Sequence, residues 1–304
     1  MDGQFLVIGE ALIDIVARHA ENPVEHVGGS PANVAVGLAR LDNRVIFATC
    51  LGEDTRGDRI RKHLQARGVT VLDGGDEHPT STAQANIDAG GAATYVFDLH
   101  WDPGRIEIGP RVSHIHTGSI AAVLEPGGTA VVDALMRGRA QATISYDPNF
   151  RPSIMGDVAA ATARIEEIIA LSDVVKASSD DMALMYPDLS IEGVLKKWGD
   201  LGPAVTVATL AEAGVMYRIT RTGEVSSRPA PPTHVVDTVG AGDSFMSGLI
   251  SGLSTAGLIG GVDARGRLAT AGPGQLDPAI ERGALCGAMT VSRAGAYAPS
   301  LDEL

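Results

Sequence analysis

The stretch Asp237-Thr238-Val239-Gly240-Ala241-Gly242-Asp243-Ser244-Phe245 carries the strongest structural signal in this chain. The apolar run His234-Val235-Val236 precedes it, and the small-residue run Met246-Ser247-Gly248-Leu249-Ile250 follows it. This order predicts the end of a strand, a glycine-rich turn, and then a helix whose first backbone N–H groups lack intrahelical partners. Such a helix start binds anions, because its free N–H groups and the positive end of its dipole point the same way.

Asp243 is unusual in this setting, because a carboxylate repels an anion such as phosphate. One interpretation is that Asp243 takes a proton from an attacking hydroxyl while nearby amides stabilise charge on the transferred group. Gly240 and Gly242 would let a ligand come close to the backbone. The alternative is that Asp243 caps a tight turn. Asp237, earlier in the same loop, makes the composite pattern more specific than an isolated G-x-G-D.

Composition excludes some classes of function. The chain has 304 residues, of which 44% are hydrophobic and 20% charged, as in ordinary globular proteins. Its net charge of −13 argues against nucleic-acid binding through a basic face. The same charge repels ATP at long range, so a nucleotide site would need bound cations and local N–H donors. Aromatic residues make up only 4%, which argues against stacking platforms for bases.

The sequence carries no signal for membrane insertion or export. No apolar run is long enough to span a membrane, and Met1-Asp2-Gly3-Gln4 lacks the basic region of a signal peptide. We therefore expect a cytoplasmic protein without a membrane partner. Cys50 and Cys286 lie among apolar or small residues, so we expect buried thiols and no disulfide.

Short apolar runs alternate with helical patterns along most of the chain. This alternation predicts an α/β fold with a mainly parallel sheet covered on both faces. No interdomain linker is evident, so we expect one domain over residues 1–304. The strand-like runs are 5–9, 45–50, 69–72, 114–117, 143–146, 174–176, 204–208 and 214–218.

The segment 81–108 departs from this alternation. Residues 83–99 suggest two strands joined by Gly90-Gly91, which is typical of an antiparallel hairpin. A hairpin that interrupts an α/β pattern predicts a separate small sheet, which could act as a lid.

A second glycine-rich element, Gly28-Gly29-Ser30-Pro31-Ala32-Asn33, lies far upstream. It predicts a helix with Ser30 as N-cap and Pro31 at the first position. Asn33 would lie on the first turn, where its amide can donate to and accept from hydroxyl groups. Asp14 follows the first strand run, at the edge where open parallel sheets bind ligands. Each of these residue types, taken alone, more often serves a turn or a cap than a ligand contact.

Taken together, these motifs resemble those of the ribokinase-like (PfkB) carbohydrate kinases over nearly the whole chain. Gly28-Gly29-Ser30-Pro31-Ala32-Asn33-Val34-Ala35 resembles the first signature of that family, and the stretch from Asp237 to Phe245 resembles the second. Gly9-Glu10 with Asp14, Leu51-Gly52-Glu53-Asp54 with Gly57, and Asp147-Pro148-Asn149-Phe150-Arg151-Pro152 occur in the expected order. The resemblance implies a three-layer α/β/α fold with a small β lid, formed by about 11–28 and 81–108.

The resemblance also implies roles for individual residues. Asp243 would deprotonate a sugar hydroxyl as it attacks the γ-phosphoryl group of ATP, with Mg²⁺ as cofactor. The backbone amides of Gly240, Ala241 and Gly242 would form the anion hole. Phosphoryl transfer depends on positioning and charge stabilisation more than on covalent chemistry, which agrees with this assignment. The residues expected to hold the sugar are Asp14, Gly28, Gly29, Asn33 and Arg151.

Two nucleotide-binding motifs depart from the family pattern. Lys176-Ala177-Ser178-Ser179-Asp180-Asp181 lies where the family carries Asn-x-x-Glu, which reads here as Ser178 and Asp181. Asp181 would order water around Mg²⁺, and Lys176 and Ser178 would face the nucleotide. Thr209-Leu210-Ala211-Glu212-Ala213-Gly214 matches the nucleotide loop, but Ala211 replaces the usual glycine. Thr209 and Gly214 are therefore the expected contacts.

Further assignments rest on resemblance or on local pattern. Asp237, the carbonyl of Val239 and the turn at Gly295 match a region that binds a monovalent cation, such as K⁺, in several relatives. The alternative is that Asp237 only caps its loop. By analogy, two copies of the chain would pair through their lids.

Several polar residues have simpler explanations. His114 and His116 form an H-x-H pair, but without an evident third ligand they are expected to pack in a strand. Asp98 and Asp102 are expected to be solvated lid charges. Arg151 differs, because an Arg beside Asp147 and Asn149 at a strand end could clamp substrate or phosphate. The alternative is a structural ion pair.

The motifs favour the fructokinase branch of the family, because ribokinases usually carry Lys-Gly where Ser30-Pro31 stands here. Fructose is the first choice of substrate. Ribose, 2-keto-3-deoxygluconate and a nucleoside stay open, because we expect the pocket to depend on lid residues such as Tyr95, Phe97, His100 and Trp101, which no motif fixes. A sugar or nucleotide sensor without turnover is a further alternative. The absence of G-x-G-x-x-G after the first strand, and of a P-loop motif, excludes a dinucleotide-dependent dehydrogenase and a P-loop kinase.

Overall fold

Strands and helices alternate along most of the chain, as the sequence pattern predicts. The computed structural model describes residues 3–18, 22–75, 77–88 and 93–304. The strands of this part of the chain are β1 (Gln4–Ile8), β2 (Leu12–Arg18), β3 (Val24–Gly28), β4 (Val45–Thr49), β5 (Thr70–Asp73), β6 (Thr82–Ile87), β7 (Ala93–Asp98), β8 (Val112–Gly118), β9 (Thr143–Asp147), β10 (Val174–Ser178), β11 (Val205–Thr209), β12 (Val215–Ile219) and β13 (Val225–Arg228).

The helices begin and end close to local sequence signals. Asp54 caps the second helix and Asp157 the fifth, because each carboxylate accepts a backbone N–H of the first turn. The helices of the described residues are α1 (Ser30–Arg40), α2 (Thr55–Gln65), α3 (Gly127–Gly138), α4 (Pro152–Met155), α5 (Val158–Leu171), α6 (Ser179–Met185), α7 (Ile191–Leu201), α8 (Ala241–Thr255), α9 (Val262–Thr270) and α10 (Pro273–Val291).

A nine-stranded sheet forms the centre, in the order β13-β12-β11-β10-β9-β8-β1-β4-β5. In this sheet order, every pair of neighbouring strands between β11 and the edge strand β5 is parallel. Strand β12 is antiparallel to both β11 and β13. The predicted, mainly parallel sheet is therefore confirmed. Parallel strands need crossover connections, and the helices between them supply these connections.

Two hydrophobic clusters cover the two faces of this sheet. In β1, Phe5 and Val7 belong to one cluster, whereas Leu6 and Ile8 belong to the other, as strand alternation requires. Helices α1, α2, α8 and α10 contribute to the first cluster, and α3, α5 and α7 to the second. This is the three-layer arrangement that the sequence predicts.

A second sheet of four strands lies apart from the central one, in the order β3-β2-β6-β7. Strands β6 and β7 pair antiparallel with Thr82 opposite Asp98, which confirms the predicted hairpin strands. Its Gly90-Gly91 turn lies outside the described residues. Strand β2 pairs in parallel with β6 and antiparallel with β3. Asp14 follows the first strand, as expected, and lies within β2.

Two local predictions are wrong. The run His234-Val235-Val236 is not a strand, and Val235 and Val236 are 59% and 56% exposed. An apolar run forms a strand only where a sheet partner can take its hydrogen bonds, and the N–H of Val236 donates instead to the carbonyl of Val291 on α10. Ser30 is not the N-cap of α1, because Gly29 holds that position without a side-chain bond and Ser30 is the first helical residue.

Candidate functional site

The carboxyl ends of several parallel strands open into one cleft of about 1160 Å³. Strands β9, β10 and β11 contribute Asp147, Ser178 and Thr209 at or near their last residues, and β2 contributes Asp14. The first turns of α1 and α8 complete the wall. Ligands of open α/β sheets bind at this edge, so the fold directs attention to this cleft.

The cleft brings together most of the residues singled out in the sequence. Gly28, Asp237 and Gly295 do not belong to its lining. The predicted residues that line it are Asp14, Gly29, Asn33, Arg151, Lys176, Ser178, Asp181, Thr209, Gly214, Val239, Gly240, Ala241, Gly242 and Asp243.

Asp243 lies on the first turn of α8 with only 9% of its surface exposed. Its Oδ1 accepts a hydrogen bond of 2.6 Å from Oγ of Ser30, and its Oδ2 accepts one of 2.8 Å from Nδ2 of Asn33. Burial raises the pKa of Asp243, although these two hydrogen bonds oppose that rise. An ionised carboxylate has about four lone-pair positions, so each oxygen can still accept a proton from a ligand. Asp243 is thus oriented in the cleft and more basic than an exposed Asp.

The glycine-rich loop before α8 has the geometry of an anion site. Gly240 is the N-cap with φ of 75°, and no side chain of the described residues caps this helix start. The N–H of Ala241 makes a long bond of 3.3 Å to the carbonyl of Thr238. A site without a capping side chain leaves the helix dipole and its first amides to a ligand.

A buried ion pair supplies positive charge beside this loop. Nζ of Lys176 lies 2.6 Å from Oδ2 of Asp147, and both side chains are at most 4% exposed. A methyl group added at Gly242 would lie 3.1 Å from Nζ of Lys176, so the ammonium group faces the loop. Burial raises the pKa of Asp147 to about 6, against the opposing effect of Lys176. An ammonium group held in this position can stabilise a phosphoryl group in the cleft.

Asp14 enters the cleft from the small sheet. It faces His26 across the β2–β3 pair, and its Oδ2 lies directly over the Cα of Gly28, where a side chain would collide with it. Burial raises the pKa of Asp14 to about 6, while the nearby charge of His26 lowers it. Gly28 therefore shapes the space around Asp14 without lining the cleft, and Gly29 lines it directly.

Arg151 follows β9 and lies against other polar residues of the cleft. Its guanidinium donates to Oδ1 of Asn149 at 2.5 Å and lies 3.5 Å from Oδ1 of Asp181. The side chain of Arg151 stays 50% exposed, so it can move toward a ligand. Both alternatives for Arg151, a ligand contact and a structural ion pair, are compatible with this position.

Ser178 and Asp181 form a capping box at the start of α6. Oγ of Ser178 accepts the N–H of Asp181 at 3.1 Å and donates to its Oδ2 at 2.7 Å. Asp181 lines the cleft with one oxygen free of this box. In the described residues, no group of three or more His, Cys, Asp or Glu side chains is arranged to hold a metal ion. One carboxylate fits Mg²⁺ held through water, because Mg²⁺ takes most of its oxygen ligands from water and phosphates.

The loop after β11 contains Ala211, which stands where the family resemblance implies glycine. Ala211 has a φ of +50°, the left-handed conformation that glycine adopts more readily. Gly214 has a φ of +97° and lies so close to the backbone that an added Cβ would be 2.1 Å from the carbonyl oxygen of Arg228. The loop backbone therefore has the shape that glycine would favour at both positions, and Ala211 holds it under strain.

Asp237 bridges two loops outside the cleft. Its Oδ1 accepts the N–H of Val239 at 3.0 Å, and its Oδ2 accepts the N–H of Gly295 at 2.8 Å. These backbone hydrogen bonds lower the pKa of Asp237. This geometry is that of a loop cap, and a cation at this place would have to share both oxygens with backbone amides.

The dependence of the sugar pocket on four aromatic lid residues stays a prediction. None of Tyr95, Phe97, His100 and Trp101 is part of the cleft lining. Trp101 is 4% exposed and packs in the second hydrophobic cluster, where its indole N–H donates to the carbonyl of Ala121. A large apolar ring gains more from core burial than from an open lid, which explains why Trp101 is buried.

Other residues have the structural roles expected of them. His114 and His116 are buried on β8, and both bond to the hydroxyl of Ser145 at 2.9 Å. Among the described residues, Cys50 and Cys286 are buried thiols that form no disulfide, as expected. No helix in the described part of the chain is long and apolar enough to cross a bilayer.

Sequence reasoning missed three contributors to the cleft. Ser30 contacts Asp243 directly, Asp147 holds Lys176, and Asn149 bonds to Arg151. Asn149 has a φ of +40°, and strained residues of this kind cluster at functional sites. The motif from Asp147 to Arg151 was a usable signal, but the 29-residue separation of Asp147 and Lys176 hid their pairing.

Comparisons with known proteins agree with this geometry. A family profile described as pfkB family carbohydrate kinase matches residues 3–303. Fructokinase from Klebsiella pneumoniae is 30% identical over an alignment 318 residues long, which covers 100% of this chain and 99% of that protein.

Solved structures share the fold. The crystal structure of fructokinase with bound ATP from Xylella fastidiosa has a TM-score of 0.88 at 24% identity and covers 100% of this chain and 97% of that one. Aminoimidazole riboside kinase from Salmonella enterica, complexed with aminoimidazole riboside and an ATP analog, has a TM-score of 0.79 at 27% identity. That match covers 99% of this chain and 98% of the other.

Proposed function

The chain belongs to the pfkB family of carbohydrate kinases, and on this premise we propose that it transfers the γ-phosphoryl group of ATP to fructose, giving fructose 6-phosphate. The observation that carries the proposal is the position of Asp243. Its buried carboxylate lies in the same cleft as an uncapped helix start and the ammonium group of Lys176. A base, an anion site and a fixed cation are the parts that phosphoryl transfer needs.

In the proposed reaction, Asp243 accepts the proton of the attacking hydroxyl, and the sugar oxygen forms the new bond to phosphorus. The bond from phosphorus to the leaving oxygen breaks, and its electron pair stays on ADP. The amides of Gly240, Ala241 and Gly242 stabilise the charge on the transferring group. Lys176 faces the same group, and Asp147 holds Lys176 in place.

The sugar would be held by the opposite wall of the cleft. Asn33 and Ser30 orient Asp243, and their remaining hydrogen-bonding capacity is available to sugar hydroxyls. Asp14 and Gly29 reach the same space from the small sheet and from the start of α1. Gly28 contributes indirectly through its contact with Asp14, and Arg151 is proposed as a further contact.

The nucleotide would lie along the loops that carry Ser178, Thr209 and Gly214. Mg²⁺ would be held through water by Asp181 and by the phosphates, where it would neutralise the negative charge of ATP. A K⁺ ion at Asp237, Val239 and Gly295 remains part of the proposal, with the carboxylate shared as described above. The proposal includes a cytoplasmic location, because ATP is the phosphoryl donor.

Pairing of two copies through the small sheet is also proposed. On strand β7, Tyr95 is 64% exposed and its ring stacks beside that of Phe97 on the same face of the sheet, and large exposed apolar side chains often mark an interface. Sedimentation of the full chain would measure this association, and it is independent of the catalytic proposal.

Fructose is preferred to the alternatives for two reasons. Fructokinase of Klebsiella pneumoniae is 30% identical over the whole chain, and Ser30-Pro31 replaces the Lys-Gly pair usual in ribokinases. A nucleoside acceptor is the second candidate, because the Salmonella enterica structure with aminoimidazole riboside has the same fold at 27% identity.

A coupled assay of ADP release over fructose, ribose, 2-keto-3-deoxygluconate and a panel of nucleosides tests the proposal. We expect the highest kcat/KM with fructose. A higher value with ribose or with a riboside would contradict the assignment of the acceptor and leave the kinase chemistry in place. The absence of ADP release with every acceptor would favour a sensor on the same fold.

A further inference from the structure

The turn at residues 295–297 packs directly behind the anion-binding loop. A Cβ added at Gly240 would lie 2.8 Å from Cβ and 2.9 Å from Cα of Ala296, so the two backbones are in contact. The N–H of Gly295 donates to Oδ2 of Asp237 at 2.8 Å, which ties the turn to the start of the same loop. The position of Gly240 therefore depends on where this turn lies.

One carboxylate near the end of the chain holds the turn in place. Oε1 and Oε2 of Glu303 lie 2.5 and 2.7 Å from the hydroxyl of Tyr297, which donates to them. Arg293 donates to Oε1 at 3.1 Å, and its guanidinium also stacks 3.9 Å from the centre of the Tyr297 ring. Glu303 thus fixes residues on both sides of Ala296.

The same carboxylate reaches two more elements. Its Oε2 accepts a bond of 3.3 Å from Arg40 at the last residue of α1, whose first turn carries the contacts to Asp243. It also accepts the N–H of Ser300 at 2.8 Å and the hydroxyl of Ser300 at 3.0 Å. Isolated surface ion pairs are weak, but a network of several partners on one carboxylate is a stronger restraint.

We propose that Glu303 is a positioning residue for phosphoryl transfer: it holds the turn at residues 295–297 against Gly240 and thereby fixes the amides of the loop that faces the cleft. Glu303 does not line the cleft, and its proposed effect on the loop passes through Tyr297, Ala296 and Gly240. The inference rests on the proposed kinase function and adds a residue that the family motifs in the sequence did not indicate.

The substitutions Glu303→Gln and Tyr297→Phe test this role. Glu303→Gln removes the charge that Arg40 and Arg293 share, and Tyr297→Phe removes only the hydroxyl and keeps the stacked ring. We expect kcat to fall by about tenfold in Glu303→Gln, since displacing a positioned group by about 1 Å can cost about a hundredfold. The kcat of Tyr297→Phe should also fall, by a smaller factor.

The KM for sugar should stay within about twofold of wild type in both variants, because Asp14 lies on β2 and Asn33 lies near the opposite end of α1 from Arg40. Asp302→Asn is the matched control, since Asp302 is the exposed neighbour of Glu303 in the same turn. Its kcat should equal that of wild type. The melting temperature of each variant shows whether a fall in kcat comes from a loss of stability.

The inference is overturned if kcat of both variants matches wild type, or if sugar KM alone rises. If Glu303→Gln does not fold, Tyr297→Phe decides the question by the same criteria. A wild-type chain that releases no ADP with any acceptor contradicts the proposed function, and the inference with it. An active wild type with unchanged variants contradicts this inference alone.

Discussion

Burial sets the chemistry of the carboxylates around the cleft. Asp243, Asp147 and Glu10 are each at most 9% exposed, and burial raises the pKa of each one. Asp237 is the opposite case, because backbone hydrogen bonds on an exposed loop lower its pKa. An Asp carboxylate is therefore a stronger base inside the cleft than on the exposed loop of Asp237.

Glu10 offers a direct test of this burial effect. Burial raises its pKa from 4.5 to about 7, and its Oε2 accepts the N–H of Ala121 at 3.1 Å. Between these pH values the folded chain binds more protons than the unfolded chain, so stability falls as pH rises. We expect wild type to lose on the order of 2–3 kcal/mol of unfolding free energy relative to Glu10→Gln between pH 4.5 and 7.

Urea unfolding of both proteins at several pH values measures this difference. Glu53→Gln is the control, because Glu53 is exposed. A difference between wild type and Glu10→Gln that stays constant with pH would show that Glu10 titrates normally, against the prediction.

Ala211 gives a prediction about backbone strain. An L-residue in the left-handed region costs about 1–2 kcal/mol, whereas glycine costs about 0.5–1 kcal/mol in chain entropy. Ala211→Gly should therefore raise the unfolding free energy by about 0.5–1 kcal/mol. Gly214→Ala is the converse variant and should destabilise the chain, because its Cβ would meet the carbonyl of Arg228. Equal or lower stability of Ala211→Gly would contradict the strain argument.

Residues whose hydrogen-bond partners lie close in the sequence are the easier ones to predict. The helix start at Ala241 and the placement of Asp243 follow from local turn and helix chemistry. The bonds from Ser30 and Asn33 to Asp243 join residues more than 200 positions apart, which no local pattern encodes. The catalytic roles themselves stay predictions until kinetics test them.

At the scale of elements, apolar runs located the buried strands of the central sheet. Strands β2, β3 and β13 were not among the predicted strands. Of these, β3 and β13 alternate exposed and partly buried residues and lack an apolar run. The run at 234–236 shows the converse error, since apolar residues without a sheet partner do not form a strand. An apolar pattern indicates which residues tend to be buried, and the hydrogen-bond partners available to the backbone decide whether a strand forms.

An ion-pair cluster joins the small sheet to the central domain and gives a prediction at this scale. Glu25 on β3 accepts hydrogen bonds from Arg56 at 2.5 and 3.0 Å, and Arg59 on the same helix α2 lies 3.3 Å away. Glu25→Gln should raise the KM for sugar by about two- to fivefold, the effect of losing 0.5–1 kcal/mol. The turnover number should change little, because the base and the anion-binding loop lie elsewhere.

The effect should shrink at high salt, which screens exposed pairs. Glu107→Gln is the matched control, because the Arg105–Glu107 pair is exposed and joins neighbouring residues of one loop. If Glu25→Gln has the sugar KM of wild type at low salt, this cluster does not position the small sheet.

At the scale of the whole molecule, the layered α/β fold follows from the order of strands and helices. The sequence predicts a lid formed by about 11–28 and 81–108, and all four strands of the small sheet lie within these segments. Lid closure and the organisation of 1–304 as one domain stay predictions. The cleft depends on elements that meet only in three dimensions, so its lining could not be derived from sequence order alone.

The net charge of −13 makes the local arrangement of the cleft more important. An acidic molecule repels ATP at long range, and the positive groups that face the cleft must offset that repulsion. Lys176, Arg151 and the start of α8 supply this local positive potential. The whole molecule thus brings one base and one anion site together in a single opening, where a sugar and a nucleotide can meet.

The most direct test of this account is the turnover of Asp243→Asn, measured by ADP release with saturating ATP and fructose. Asn keeps the shape of Asp and can still bond to Ser30, so the fold and the affinity for fructose should be largely retained. The account predicts a fall in kcat of at least about 100-fold, the scale for losing a general base. A kcat close to wild type would contradict the assignment of Asp243 as the group that accepts the proton.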